Sequence, residues 1–178
     1  MMFLRYILYF PLLLRFKSSN NKAIITKDLY ANCKNSGNLN DDFVLRISND
    51  QYFRTLFYFR TQGFLTNLLR VFYPKEKYFI IDVNAKIGGG LRLAHPYSTI
   101  INVEEMGENV YINHLVTVGE KNGLKPKIGD HVELHANCTV IGGITIGNNT
   151  IIGAGTVVTK DIPANSVLVS SPIRILKT

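Results

Sequence analysis

The apolar positions between Ile128 and Ala164 advance in steps of six. Ile128, Leu134, Val140, Ile146, Ile152, Val158 and Ala164 are all aliphatic. Four residues after each stand Val132, Cys138, Ile144, Thr150, Thr156, Ile162 and Leu168, small or branched and mostly apolar. Gly, Asn, Asp and Lys fill the places between. A helix repeats at 3.6 residues and a strand at 2, so neither produces this pattern. A parallel β-helix does: three hexads close one triangular coil, and each hexad supplies a short strand and a corner. The aliphatic residue points inward, and Gly or Asn at the corner tolerates positive φ. Upstream, Ile81, Ile87 and Leu93 continue the hexads. Val110 and Val116 fall in phase with Ile128, with Asn122 at the missing step. The seventeen residues from Leu93 to Val110 are one short of a coil, so a one-residue slip is expected between them. The spacing predicts a mainly β chain, with about five coils over residues 79–170 stacked at about 4.8 Å.

Before residue 79 the period changes. Residues 1–16 are apolar apart from Arg5 and Arg15, and Pro11 is expected to kink or end a helix there. The uninterrupted apolar stretch is too short to span a bilayer. No small-residue cleavage site follows it, so a signal peptide is not expected. Two readings stay open for this segment: a helix packed on the oligomer, or one lying in a membrane interface. Residues 17–42 are polar, with helical character around Ala23–Cys33. Tyr52, Phe53, Leu56, Phe57 and Phe59 form an amphipathic helical stripe with Asp50 near its N-cap. Gly63 interrupts it, and Phe64–Phe72 continues until Pro74. Three units follow: a helical region over 1–78, a β-helix over 79–170, and a cap and tail over 171–178.

Charge and ring content draw the same boundary. Residues 1–77 hold twelve Lys and Arg against five acids, the whole of the chain's net +7, and the remainder balances. Beyond Phe79 the aromatic residues are Tyr97 and Tyr111, as a narrow prism has little room for rings. The basic face of the first unit suits anionic lipid or a phosphorylated carrier; no nucleic-acid partner is expected. Two cysteines, Cys33 and Cys138, are too few for a disulfide scaffold, and Cys138 falls at an inward place, which fits a reducing cytoplasm.

Four histidines carry the candidate chemistry. His95 stands two residues after inward Leu93, at a corner, with Pro96 fixing the backbone behind it. A corner imidazole reachable by solvent can act as a general base near neutral pH. His114, four after Val110, falls at an inward place, as a buried histidine about one coil from His95 and the second choice for catalysis. His131 and His135 differ in hexad phase and do not converge on a metal site with His114, so no metal is expected. Ala136, Ala154 and Lys160 each follow an inward residue by two. They are read as a smooth corner groove for an extended cofactor arm, with Lys160 meeting phosphate. Residues 119–127, GEKNGLKPK, lack an inward aliphatic and read as a loop thrown out from one corner.

Several stretches resemble the hexapeptide-repeat acyltransferases, in particular the serine acetyltransferases and their relatives that act on capsular and cell-surface sugars. They are NAKIGGGLRLAHP at 84–96, VYINHLVTVG at 110–119, the run from Pro126 to Pro163, and SPIRI at 171–175. The resemblance implies a left-handed coil, a homotrimer, acetyl-CoA in a groove between neighbouring prisms, and His95 as the base. It places Gly119, Ala136, Ala154 and Lys160 along the cofactor. There are three departures. Lys125 stands where serine acetyltransferases carry a second active-site histidine, which makes it a candidate substrate or oxyanion contact. Ile80 stands where they carry the aspartate that orients the base, with Asp82 close by as the substitute orienter. The helical region is shorter than theirs. With these departures the resemblance implies O-acetylation of a sugar hydroxyl of a cell-surface polysaccharide or its precursor, with L-serine O-acetylation by the same chemistry as the alternative. A catalytically silent solenoid that binds a partner is the alternative from another class, since fold alone does not fix function.

Overall fold

The computed structural model describes residues 2–170, so the tail expected over 171–178 lies outside the described residues. Five helices precede a three-faced prism: α1 (Met2–Lys17), α2 (Lys22–Asn32), α3 (Leu39–Asn49), α4 (Gln51–Thr61) and α5 (Phe64–Phe72). α3 was not expected from the polar stretch before it. Its start is set by Asn38, whose side chain accepts from the N–H groups of Asn40 and Asp41, a cap worth about 1 kcal/mol. Asp50 caps α4 in the same way, accepting from Tyr52 and Phe53. α1 runs through Pro11 without ending. A proline inside a helix costs about 3 kcal/mol; here Leu12, Leu13 and Phe16, all buried beyond it, hold the last turns in place. The aromatic stripe of α4 is core. Phe53 and Phe57 join Phe43 of α3, which stacks on Phe16 at 4.4 Å.

The prism has three parallel sheets. Face one holds β1 (Phe79–Ile81), β4 (Thr99–Ile101), β7 (Thr117–Gly119), β10 (Thr139–Ile141) and β13 (Val157–Val158). Face two holds β2 (Lys86–Ile87), β5 (Glu105–Met106), β8 (Lys127–Ile128) and β11 (Thr145–Ile146). Face three holds β3 (Arg92–Leu93), β6 (Tyr111–Ile112), β9 (Glu133–Leu134), β12 (Ile151–Ile152) and β14 (Val167–Leu168). The hexad aliphatics from Ile128 to Val158 are all buried. Five coils result, as the period predicts.

The phase differs from expectation at both ends. Ile112 pairs with Leu134 and Val118 with Val140, so these two hold the aliphatic places. Val110 and Val116 sit beside them in the small places, level with Val132 and Cys138, whose carbonyls accept from Tyr111 and Thr117. The loop before β8 is the cause: Met106 pairs with Ile128, twenty-two residues on, against eighteen from Ile128 to Ile146. Four extra residues let Val116 keep a multiple of six while standing on the wrong place. Near the C-terminal end Ile146 bridges to Ile162, a coil shortened to sixteen residues, and Ala164 is exposed rather than inward.

A buried ion pair joins the helices to the first coil. Arg60 of α4 and Asp28 of α2 meet at 2.8 Å. Arg60 also donates to the carbonyls of Ile87 and Gly88, and Asp28 accepts from the N–H groups of Gly90 and Leu91. Burial pushes the Asp28 carboxyl up, while Arg60 and the two N–H groups pull it down. Gly90 has φ +82° and an added Cβ would meet the Asn109 side chain at 2.3 Å, so the tight turn that offers these N–H groups requires glycine. Among the described residues no helix is long and apolar enough to cross a membrane.

Candidate active site

His95 is exposed at the corner between faces three and one. The step from Leu93 to Ile101 is eight residues rather than six, because both hold inward places in paired strands. The two additional residues enlarge this corner and carry His95 out of the coil. Its φ is +51°, a left-handed conformation in which histidine is over-represented. The Tyr97 N–H donates to the His95 carbonyl at 2.6 Å, and Pro96 is buried behind. Asn32 of α2 fixes the approach: its amide accepts from Leu93 N–H and donates to Leu91 C=O, both at 2.7 Å. The helical region therefore positions the strand that leads into the candidate base.

Two hollows meet at His95. One, of about 790 Å³, lies between α3, the start of α4 and the prism, and is lined by Arg46, Asp42, Asp50, Tyr52, Glu76 and His95 among others. The other, of about 530 Å³, runs over the outside of face three past Arg92, Tyr111 and His135. Arg46 reaches both. It is ion-paired with Asp50, and its Nε is buried without a hydrogen-bond partner. Apart from His95, none of these lining residues was singled out from sequence as part of the site. The spacing of Arg46 and Asp50, four apart, was legible as a helical pair, but only the fold turns it toward His95.

The expected groove residues divide between two corners. Leu93, Ile112, Leu134 and Ile152 are in register along face three. His114, Ala136 and Ala154, each two residues on, therefore rise in one row, which the Leu115 N–H continues to the Tyr97 carbonyl on the corner that His95 opens. Asp82, Gly119, Lys125 and Lys160 belong to the next corner, between faces one and two. Successive hexads visit successive corners, so Lys160, six after Ala154, is not in line with the alanines. This corrects the single groove expected to contain all three. His114 is exposed, with Asn113 Oδ1 2.6 Å from its Nδ1; the phase shift described above removes it from the core. Asp82 is not placed to orient His95 within one chain. It follows β1 while His95 precedes the parallel β4, so the strand's length, about 10 Å, separates them. Its carboxylate accepts from Asn84 N–H and faces the Lys125 ammonium at 3.4 Å. Lys125 is thus held at the corner away from its own chain's His95. Gly119 is open, an added Cβ meeting nothing nearer than 4.0 Å.

The loop that carries Lys125 is a small hairpin. Lys121 bridges Leu124 across Asn122 and Gly123, both at positive φ, the two-residue turn that Asn-Gly favours. Leu124 covers Gly143, where an added Cβ would sit 2.8 Å from its own. His131 and His135 stand apart, His131 exposed at a third corner and His135 2 residues from Glu133, with Nε2 3.1 Å from its carboxylate. Among the described residues no group of three or more His, Cys, Asp or Glu is arranged to hold a metal ion.

Comparison with known proteins agrees with the repeat. Residues 125–160 match the model described as bacterial transferase hexapeptide (six repeats). The chain is 41% identical over 105 residues to the mitochondrial serine acetyltransferase 3 of Arabidopsis thaliana, a match over 55% of this chain and 27% of that protein. It is 38% identical over 99 residues to a putative colanic acid biosynthesis acetyltransferase, WcaB, of Escherichia coli K12, covering 53% of this chain and 61% of that one. The chain thus spans only part of the length of these relatives. The serine acetyltransferase of Neisseria gonorrhoeae, solved in complex with serine, superposes with a TM-score of 0.69 at 27% identity, over 91% of this chain and 72% of the other. Repeat, sequence and superposition agree: residues 125–160 carry the hexapeptide transferase repeat, and the chain is similar to serine acetyltransferases and to the colanic acid acetyltransferase.

Proposed function

We propose that this chain is an acetyl-CoA-dependent O-acetyltransferase acting on a sugar hydroxyl of a cell-surface polysaccharide or its precursor, at the cytoplasmic face of the membrane. The observation that carries the reading is His95: an exposed imidazole on an enlarged corner, opening on a hollow lined by Arg46, Asp50, Tyr52 and Glu76. Bound acetyl-CoA supplies the thioester carbonyl. His95 takes the acceptor hydroxyl proton as that oxygen bonds to the carbonyl carbon, and returns it to the sulfur as the carbon–sulfur bond breaks. The small side chains of Ala136, part-buried, and Ala154, exposed, leave that part of the corner open for an extended donor. Arg46, which lines both hollows, puts a positive charge beside an acceptor bound there. A hollow of about 790 Å³ lies within the usual range for a ligand much larger than one amino acid, about 300–1,000 Å³.

The oligomer in this reading is a trimer. His95 and the alanine row occupy one corner, and Asp82, Gly119, Lys125 and Lys160 the next. A site that uses both rows needs two copies, and closed threefold symmetry supplies that pairing three times. Lys125 then faces the oxyanion or acceptor from the neighbouring prism. A second reading, L-serine as acceptor by the same chemistry, is supported by the serine acetyltransferase relatives and by the superposed enzyme solved with serine. Release of CoA thiol from acetyl-CoA, followed with serine and with a panel of sugar nucleotides, tests the proposal. Turnover on a sugar and none on serine is expected. Turnover on serine alone overturns the acceptor, and absence of CoA binding in a thermal shift overturns the enzyme and leaves a silent solenoid.

A further inference from the structure

α1 and α5 carry apolar stripes that face outward. A helix of a folded domain turns its apolar stripe to the core and its polar residues to solvent. α1 does half of this: Leu12, Leu13 and Phe16 are buried, but its opposite face is also apolar, with Phe3, Leu4, Ile7, Leu8, Phe10 and Leu14 exposed. α5 inverts the rule. Phe64, Leu65, Leu68, Val71 and Phe72 share one side and are exposed, Phe64 by 86% and Phe72 by 70%. The two helices lie side by side in opposite directions, since Tyr73, just after α5, donates to Leu8 C=O, and Arg15 donates to Thr66 near its start. Their exposed apolar stripes thus lie on neighbouring helices.

The charges carried by the two helices themselves are of one sign. α1 and α5 hold Arg5, Arg15, Lys17 and Arg70 and no acid. Lys17 at the end of α1 is exposed, as are Lys75 and Lys77 beyond α5. Of the five acids in residues 1–77, Asp28 and Asp42 are buried, Asp50 is paired with Arg46, Asp41 accepts from the Tyr6 hydroxyl of α1, and Glu76 stands between Lys75 and Lys77, so the balance around the surface stays basic. A second copy placed face to face would bring like charges together. An anionic bilayer offers both the apolar depth and the opposite charge, the combination that holds interfacial helices at a membrane.

We infer that the outer faces of α1 and α5 dock this protein on an anionic membrane surface, lying in the interface without crossing it. This goes beyond the acetyltransferase reading and does not depend on it: a chain that fails to bind vesicles can still transfer acetyl groups, and a silent solenoid can still dock. The test is sedimentation of the full chain with vesicles of phosphatidylcholine alone and of phosphatidylcholine mixed with phosphatidylglycerol, at low and high salt. Binding to the mixed vesicles, weakened by salt and much weaker on phosphatidylcholine alone, is expected. The Leu68→Asp, Val71→Asp double variant should lose about tenfold or more in affinity, and Lys17→Glu with Lys75→Glu and Lys77→Glu should lose the salt-sensitive part. Neither should change the melting temperature, because these side chains are exposed. Absence of wild-type binding, or equal binding by the double variant, overturns the inference. So does a drop in melting temperature or a loss of oligomer in the double variant without lipid, which would show that protein covers the face.

Discussion

The helical region and the prism bury apolar side chains by opposite means. The prism stacks one aliphatic side chain on the next, mostly Ile, Leu or Val, level by level along a narrow column. Each coil meets only its neighbours, so the core is a stack of similar local contacts. The helical region uses rings from three separate helices, Phe16, Phe43, Phe53, Phe57 and Tyr58, which have to meet at one place. A register repeats whatever its coil; a ring cluster exists only when the helices have docked. The difference teaches where function sits. His95 belongs to the regular part, but it stands where the repeat is broken by two residues, and the walls of its hollow come from the irregular part.

The sharpest test of that division is at His95. His95→Ala should lower turnover by about two to four orders of magnitude, the usual size of general-base catalysis, with an unchanged melting curve because the side chain is exposed. Turnover near wild type would place the chemistry outside the broken corner. Separating the two regions should be nearly as costly to stability. Arg60→Ala leaves Asp28 buried without its partner, for which about 3–5 kcal/mol of lost stability is expected from chemical denaturation. A smaller loss, with the prism intact, would show that the coils do not depend on the helices.

Smaller effects sharpen the comparison further. Arg46→Met should lower kcat/KM for the acceptor by about tenfold to a hundredfold, as removal of one charged hydrogen bond does, while leaving CoA binding alone. An equal effect on CoA binding would move Arg46 to the donor side. His114→Ala is expected to change stability by no more than about 0.5 kcal/mol, the range for exposed positions, against the large loss that an inward histidine would give. At the bottom of the scale is Cys138, whose thiol burial pushes up to about 12. It stays protonated through the neutral range, so iodoacetamide at pH 8 should modify Cys33, which is part-buried, well before Cys138. Rapid labelling of Cys138 in the native protein would mean that the coils open at its level.

The sequence by itself determined the period, the coil count, the N-cap at Asp50 and the corner place of His95. Each is a local property: a six-residue repeat, a capping side chain, or a residue counted from the nearest inward aliphatic. It did not determine phase across an insertion. Four residues in the loop before Ile128 kept Val116 on a multiple of six, and only strand pairing shows Val118 in the aliphatic place and His114 outside. Nor did it separate the two corners, because a count of six moves to the next corner and a count of eighteen stays on the same one. The hollow at His95 was not legible for a different reason. Arg46, Asp50, Tyr52 and Glu76 are spread over three elements and acquire a common direction only when α3 and α4 pack on the first coil, through contacts such as Asn32 to Leu93 and Arg60 to Gly88. Local patterning specifies a repeating column; docking of unlike pieces specifies a site, and that information lies in tertiary contacts.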